Sequence, residues 1–410
     1  MGDVVRVLVV LVIVLAACGR PPEVEGYQGR GPIAFADGLD TSAGGQIKEL
    51  VKQWNAQHGD DEEVTFHEMP ASTDAHRAQL TARAQDLAGV DRAEHRARCY
   101  DVVTVDVVWT AAFAAAGYLE PVLEKEFPLG SLLPQLVDAS RHDGRLWAVP
   151  WRADVGLLYY RRDVLEAAGR QPPRTWDELV ELATTVAPRY GLAGYLGQFA
   201  RYEGLTANVA EVVWAHRGDL LRPDEPGARA AVHRLASGFA EGWIPRAALD
   251  YQEVASRDAF RAGGALFLRH WPNALPQLNA PGSPVAGRVD FVPLPGPGAL
   301  GGWNLAVSRC STHQKTAAEF INFLIGEQNQ RALHRSAGFP PTWTALYRER
   351  GLERLRDVMT GARARPVSPY YDELTGIIQE SLHDALEKPE TVDAEVARLA
   401  EDLDDARKGR

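Results

Sequence analysis

Asp101-Val-Val-Thr-Val-Asp-Val-Val108 decides the fold class. The run is almost continuously apolar, as expected of a strand buried on both faces, and strands of that kind belong to sheets covered by helices. Upstream, Ile33-Ala-Phe-Ala36 reads as a short strand. Gln46 to His58 follows, with Ile47, Leu50, Val51 and Trp54 at helical spacing. Val64-Thr-Phe-His67 is a second strand and Ala75 to Ala88 a second helix, separated from the first by the acidic turn Gly59-Asp-Asp-Glu-Glu63. Downstream the texture repeats. Leu157 to Tyr160, Ala265 to Leu268 and Arg288 to Val292 read as strands. Thr175-Trp-Asp-Glu178 is a capping box that opens a helix reaching about Ala187. Further helices fit Gly227–Glu241, Val254–Ala262, Thr312–Gly326 and, broken near Lys388-Pro389, Asp372–Arg407. Alternating strands and helices imply an α/β protein with a largely parallel sheet.

The chain has 410 residues, of which 45% are hydrophobic and 24% charged. That length points to more than one lobe, because single cores stop growing at about 250–300 residues. The net charge of −11 argues against nucleic acid as the partner. At the N-terminus a short start carrying Arg6 leads into the apolar run Val7 to Ala17. This run is too short to span a bilayer of roughly 30 Å and reads as a secretory signal. Leu15-Ala16-Ala17-Cys18 resembles a lipobox, in which cleavage leaves Cys18 as a lipid-modified N-terminus. Residues 1–17 are then the signal and 18–31 a tether to the outer face of the cell membrane. The remaining cysteines, Cys99 and Cys310, can form a disulfide in an exported protein, although spacing alone does not bring them together.

No P-loop, G-x-S-x-G elbow or H-E-x-x-H is present. Neither is there a Cys-x-x-Cys or a His pair at ligand spacing, which argues against a metal centre, and no cofactor is implied. Gly296-Pro-Gly298-Ala-Leu-Gly301 matches G-x-G-x-x-G, yet a strand rather than a helix follows it in Trp303 to Ser308. Pro297 also removes an N–H from the supposed phosphate cradle, so the segment reads as a flexible interlobe loop.

Five segments, in order, are similar to the family 1 extracellular solute-binding proteins of ABC importers, the maltose- and trehalose-binding kind. They are Ala114 to Pro121, Leu146 to Arg161 with Pro173 to Leu179, Ala259 to Pro272, Gly301 to Ser308, and Ala364 to Tyr371. Asp106-Val-Val-Trp109-Thr and Glu253 to Trp271 look most like the actinobacterial trehalose-binding lipoproteins. The resemblance implies a two-lobed periplasmic-binding-protein-like fold with sugar held between the lobes. The first lobe would hold 32–145 and 303–350 and the second 151–295 and 355–410, with crossovers near 146–150 and 296–302. Cys99 and Cys310 then fall in one lobe, which favours their pairing.

Sugars offer neighbouring hydroxyls and apolar ring faces, so carboxylates, Arg forks and indoles suit them. Asp106 ends the buried strand, where open α/β sheets place ligands, or else it caps a turn. Asp154 follows Pro150-Trp151, and a carboxylate there needs a hydrogen-bonding partner. Glu253 starts a helix, where its charge also suits the macrodipole. Its spacing to Trp271 is what the resemblance turns into a ligand role. Trp271 precedes Pro272, which ends the strand and leaves the ring at its edge. Trp271→Ala is therefore expected to weaken sugar binding with little change in melting temperature. Gly302 lets the backbone approach a ligand beside Trp303, itself a stacking face or a hinge-core residue. Arg365 and Tyr371 match a segment lining the cleft, with a surface salt bridge the alternative for Arg365. Asp40 matches a sugar-touching loop or is a solvated one. Trp151, Tyr159 and Tyr160 read as core.

The expected protein is a monomeric lipoprotein with no catalytic step, capturing an α-linked disaccharide for an ABC permease. An exported glycoside hydrolase with paired carboxylates is the main rival. A scaffold that binds a peptide or protein is the third reading.

Overall fold

The computed structural model describes residues 26–40, 45–88 and 98–408. The signal, Cys18 and most of the tether lie outside the described residues. In chain order the strands of the two main sheets are β1 (Ile33–Gly38), β2 (Val64–Met69), β3 (Val102–Asp106), β4 (Val149–Val155), β5 (Leu157–Arg161), β6 (Ala193–Leu196), β7 (Ala265–His270), β8 (Val289–Pro293), β9 (Ala299–Val307) and β10 (Arg363–Ala364), beside a small hairpin of Arg141–His142 and Arg145–Leu146. The helices used below are α1 (Gln46–His58), α2 (Thr73–Leu87), α3 (Trp176–Thr185), α4 (Glu203–Ala215), α5 (Glu253–Arg261) and α6 (Tyr371–Glu387).

Two sheets divide the molecule into two lobes. The first runs β10-β9-β3-β1-β2, with β4 paired to the other side of β9; the second runs β8-β5-β7-β6. The expected run Asp101–Val108 supplies β3, buried at every position. One core packs Phe35, Trp54, Trp151 and Phe320 beneath the first sheet. A second packs Trp176, Tyr195, Phe199 and Phe239 with the apolar face of α6. A third joins the sheets through Val105, Trp109, Val155, Tyr159, Leu268 and Leu300. Burying such large rings is worth roughly 2–3 kcal/mol each, which makes these clusters the main source of cohesion.

The sheets are mixed, which corrects the expectation of largely parallel ones. β1 is parallel to β2 and β3, and β6 to β7. The pairs β3–β9, β4–β9, β5–β7 and β5–β8 are antiparallel. The reason is topological: β9 enters the first sheet from the second lobe, not through a local βαβ turn. Sheet membership changes at Gly156, between Pro293 and Ala299, and after Ala364. Strand β4, which the resemblance places in the second lobe from residue 151 onward, is hydrogen-bonded into the first sheet. Of the glycine-rich decoy, Gly296 to Gly298 lie in the connection between the two sheets, while Ala299 to Gly301 already belong to β9 and are buried.

Local signals hold where chemistry is local. Thr175 Oγ1 accepts from Glu178 N at 3.1 Å, as a capping box requires. Glu178 reaches back one residue further than expected, accepting from Arg174 N at 2.7 Å. Trp151, Tyr159 and Tyr160 are buried.

Cys99 and Cys310 are bonded, with Cα atoms 5.8 Å apart and a sequence separation of 211. The antiparallel register that sets Val102 against Val307, continued past the ends of β3 and β9, puts the two cysteines opposite one another. A loop of that length removes about 5 kcal/mol of chain entropy from the unfolded state. Reduction under native conditions should therefore lower the melting temperature by several degrees. An unchanged melting curve with free thiols demonstrated would contradict this.

Candidate functional site

The cleft lies between the lobes at the carboxyl ends of β1, β3 and β7, where open sheets leave room for ligands. It collects Asp106, Asp154, Glu253, Trp271, Gly302, Trp303 and Arg365. Sequence reasoning did not single out Arg152, Glu203, His76 or Asn273, which line it as well. Asp40 is not among the lining residues; its Oδ2 accepts from the N–H groups of Ile47 and Lys48 at 3.0 and 3.3 Å. It thus holds the first turn of α1. Tyr371 stands behind the cleft wall, its hydroxyl donating to Glu203 Oε1 at 2.6 Å.

Two glycines shape the crossing ribbon. Gly302 has φ 139°, and a Cβ there would meet the Arg152 carbonyl oxygen at 2.3 Å. A Cβ on Gly301 would come within 3.1 Å of both Asp154 Cβ and the Trp271 ring. The missing side chain of Gly301 lets β9 pass between Asp154 of β4 and the Trp271 indole. Just beyond, the β4–β9 register shifts between Trp303 and Asn304.

Charges in the cleft fall into two sets. The first is bonded within itself through the two terminal nitrogens of Arg365, while Arg365 Nε is left without a partner among the described residues. Arg365, which the alternative reading put on the surface, is buried and pairs with both Asp106, at 3.2 Å, and Glu203. Asp106 Oδ1 also accepts from Val108 N at 3.1 Å. Thr375 Oγ1 donates to Glu203 Oε2 at 2.7 Å. Arg365 thereby ties the tip of β3 in the first sheet to the N-terminus of α4 in the second lobe. Burial nevertheless raises the Asp106 carboxyl, to about 6, against the opposing pull of Arg365. Arg269 and Glu211 form another closed pair at 2.6 and 2.8 Å beneath Gly156, where a Cβ would strike Glu211.

The second set is open. Asp154 Oδ1 and Arg152 Nε are buried with no hydrogen-bond partner among the described residues. Two residues apart on β4, they share one face of the strand. Arg152 gives another nitrogen to Asp37 at 2.7 Å and packs against Trp151 and Phe339. Burial pushes the Asp154 carboxyl up to about 7. An unpartnered buried polar atom costs roughly 1–3 kcal/mol, so this pair is primed for an incoming hydroxyl.

The aromatic walls differ from expectation. The Arg269 guanidinium lies 3.8 Å from the centre of the Trp271 ring, whose Nε1 donates to Glu253 Oε1 at 3.3 Å. Glu253 Oε2 accepts from the Tyr202 hydroxyl at 2.9 Å, so Glu253 holds the indole in place. Trp303 is stacked on His76 at 5.2 Å and stands perpendicular to Trp109 at 5.3 Å. Neither ring is a free edge. Among the described residues, the one group with metal-ligand spacing is His383, Asp384 and Glu387 on α6, and Asp384 there is already paired with Arg201 and Arg398.

Residues 38–331 match the family of bacterial extracellular solute-binding proteins. The chain is 30% identical over 399 residues to a probable ABC transporter-binding protein of Deinococcus radiodurans, across 86% of this chain and 90% of that one. Its fold superposes on maltose-bound T. maritima MalE3 with a TM-score of 0.83 and 32% identity, covering 91% and 99% of the two chains. The GacH receptor of Streptomyces glaucescens, solved unliganded and with acarbose, shares the fold at TM-score 0.79 and 20% identity, over 92% and 98%. The chain belongs to the bacterial extracellular solute-binding proteins, with their two-lobed fold; its relatives are solute-binding proteins, not enzymes. Among the described residues no helix is long and apolar enough to cross a membrane.

Two predictions follow from the geometry. A carboxyl raised above its unfolded value of about 3.9 adds stability below that value and loses it as the pH rises through its folded value. For Asp154 that window runs from about 4 to about 7. Between about pH 4 and pH 7 the ligand-free wild type should lose melting temperature relative to Asp154→Asn; parallel curves would remove the strained carboxyl. The contacts of Trp271 also revise the expectation for Trp271→Ala. Urea unfolding should record a loss of about 3 kcal/mol, and a variant as stable as wild type would restore the exposed-ring reading.

Proposed function

We propose that the protein is a lipid-anchored extracytoplasmic receptor for an α-linked disaccharide, of the maltose or trehalose kind, which it delivers to the membrane subunits of an ABC importer. The observation that carries the reading is the open polar pair of Asp154 and Arg152 set beside the Trp271 indole across Gly301. A sugar hydroxyl donates to the carboxylate and accepts from the guanidinium, while the apolar ring face suits the indole. The relative solved with maltose supports the sugar class. The segments around Asp106 and from Glu253 to Trp271 favour the trehalose-binding branch. The lipobox at Cys18 supports the anchor.

The action is closure without chemistry. Glu203 N already donates to Asp74 Oδ1 of the first lobe at 3.3 Å, and Arg77 pairs with Asp372 across the cleft. A solute that touches β4 on one side and α5 on the other adds contacts only the closed arrangement can make, so it shifts the population toward closure.

A thermal-shift screen of the chain cut before Cys18, against mono- and disaccharides including maltose, trehalose and sucrose, tests the proposal. At 100 times its Kd a ligand adds about 2.7 kcal/mol, a clear rise in melting temperature. A selective rise with the sugar recovered intact is expected. No rise across the panel overturns the disaccharide reading, and consumption of the sugar points to hydrolysis.

A further inference from the structure

Two buried histidines of the cleft, His76 and His270, are left unused by the reading above; His270 Nε2 is hydrogen-bonded to the Glu253 carbonyl at 3.0 Å, whereas His76 is not so held. His76 lies in the first turns of α2, is only 1% exposed, and lines the same space as Arg152 and Asp154. Its Nε2 has no hydrogen-bond partner among the described residues. The ring is fixed from two sides, stacked at 14° on Trp303 and set at 78° to Trp109. Beside it stands Gly38, where even an added Cβ would come no nearer to Nδ1 than 3.8 Å. An imidazole so clamped cannot swing to find a partner within the protein, and a core position would be served better by phenylalanine.

We infer that His76 is a specificity-determining residue that offers Nε2 to a hydroxyl of the bound solute, completing with Asp154 and Arg152 a polar subsite on the first-lobe side of the cleft. This rests on the cleft being the sugar site. The imidazole does its work uncharged. Burial holds its pKa down at about 4, and the two charges that face it, Asp37 and Arg152, oppose each other. A neutral imidazole nitrogen donates or accepts according to tautomer, which suits a hydroxyl, itself both donor and acceptor. Arg365, bonded to Asp106 and Glu203 through its terminal nitrogens, then serves as a strut between the lobes, and recognition falls to Asp154, Arg152 and His76.

The test is the affinity of His76→Phe for maltose and trehalose by calorimetry, read together with its ligand-free melting temperature. Phe keeps the stacked ring and deletes the unpartnered nitrogen. Affinity for the sugar that wild type binds should fall roughly 10-fold or more while the ligand-free melting temperature holds or rises. A purely structural histidine would give the reverse. His76→Gln, which keeps an amide near the position of Nε2, should recover part of the affinity, and it serves as the test should the Phe variant fail to fold. Affinities of both variants within twofold of wild type overturn the role of His76 and leave the sugar reading standing. A wild type that binds neither sugar overturns both.

Discussion

The antiparallel ribbon of Val149–Val155 against Ala299–Val307 is the constraint on which the rest of the structure depends. Two of the three passages of the chain between the sheets meet it, at Gly156 and at Ala299. Its ladder keeps them side by side, and β9 carries the same ladder on into β3. Backbone hydrogen bonds, not side chains, therefore set the spacing of the lobes at the hinge. The ribbon can run under the cleft floor only because Gly301 and Gly302 carry no Cβ, and Gly302 adopts a positive φ that other residues resist.

Around that ribbon the charges are arranged by whether the protein satisfies them. Arg269 with Glu211, and Arg365 with Asp106 and Glu203, are buried and mutually bonded. Such groups stabilise mainly by not being left alone, since removing one partner strands the other. They hold walls in place: Arg269 backs the Trp271 ring and Arg365 ties the lobes. Asp154, Arg152 and His76 are buried but incompletely bonded, and the fold tolerates them because other contacts fix their positions. Polar groups held this way are ordered by the fold itself, and on the proposed reading that limits the ordering cost of association.

Much of the layout was legible in the chain. The apolar run at Asp101–Val108, the stripe in α1 and the capping box of α3 are each signalled by the pattern of a few neighbouring residues, and each forms where expected. α4 escaped notice for a physical reason. It is buried all round from Glu203 to Trp214, so it carries no apolar stripe. Glu203 was lost with it. His76 was passed over because a lone histidine near a helix start looks the same whether it faces solvent, core or ligand. Asp40 matched a sugar-touching loop, yet its carboxylate turned out to serve the backbone of α1.

By itself the sequence determined the alternation of strands and helices and a resemblance to a two-lobed binding protein that the fold bears out. Those features depend on periodicity, on short-range capping and on order along the chain. Tertiary structure alone decided that the sheets are mixed, that Cys99 meets Cys310, that Arg365 is buried between two carboxylates and that Trp303 lies against His76. Each of these joins residues far apart in sequence. Which polar atoms find partners, and which are left for a solute, is settled only when distant strands close on one another and exclude water.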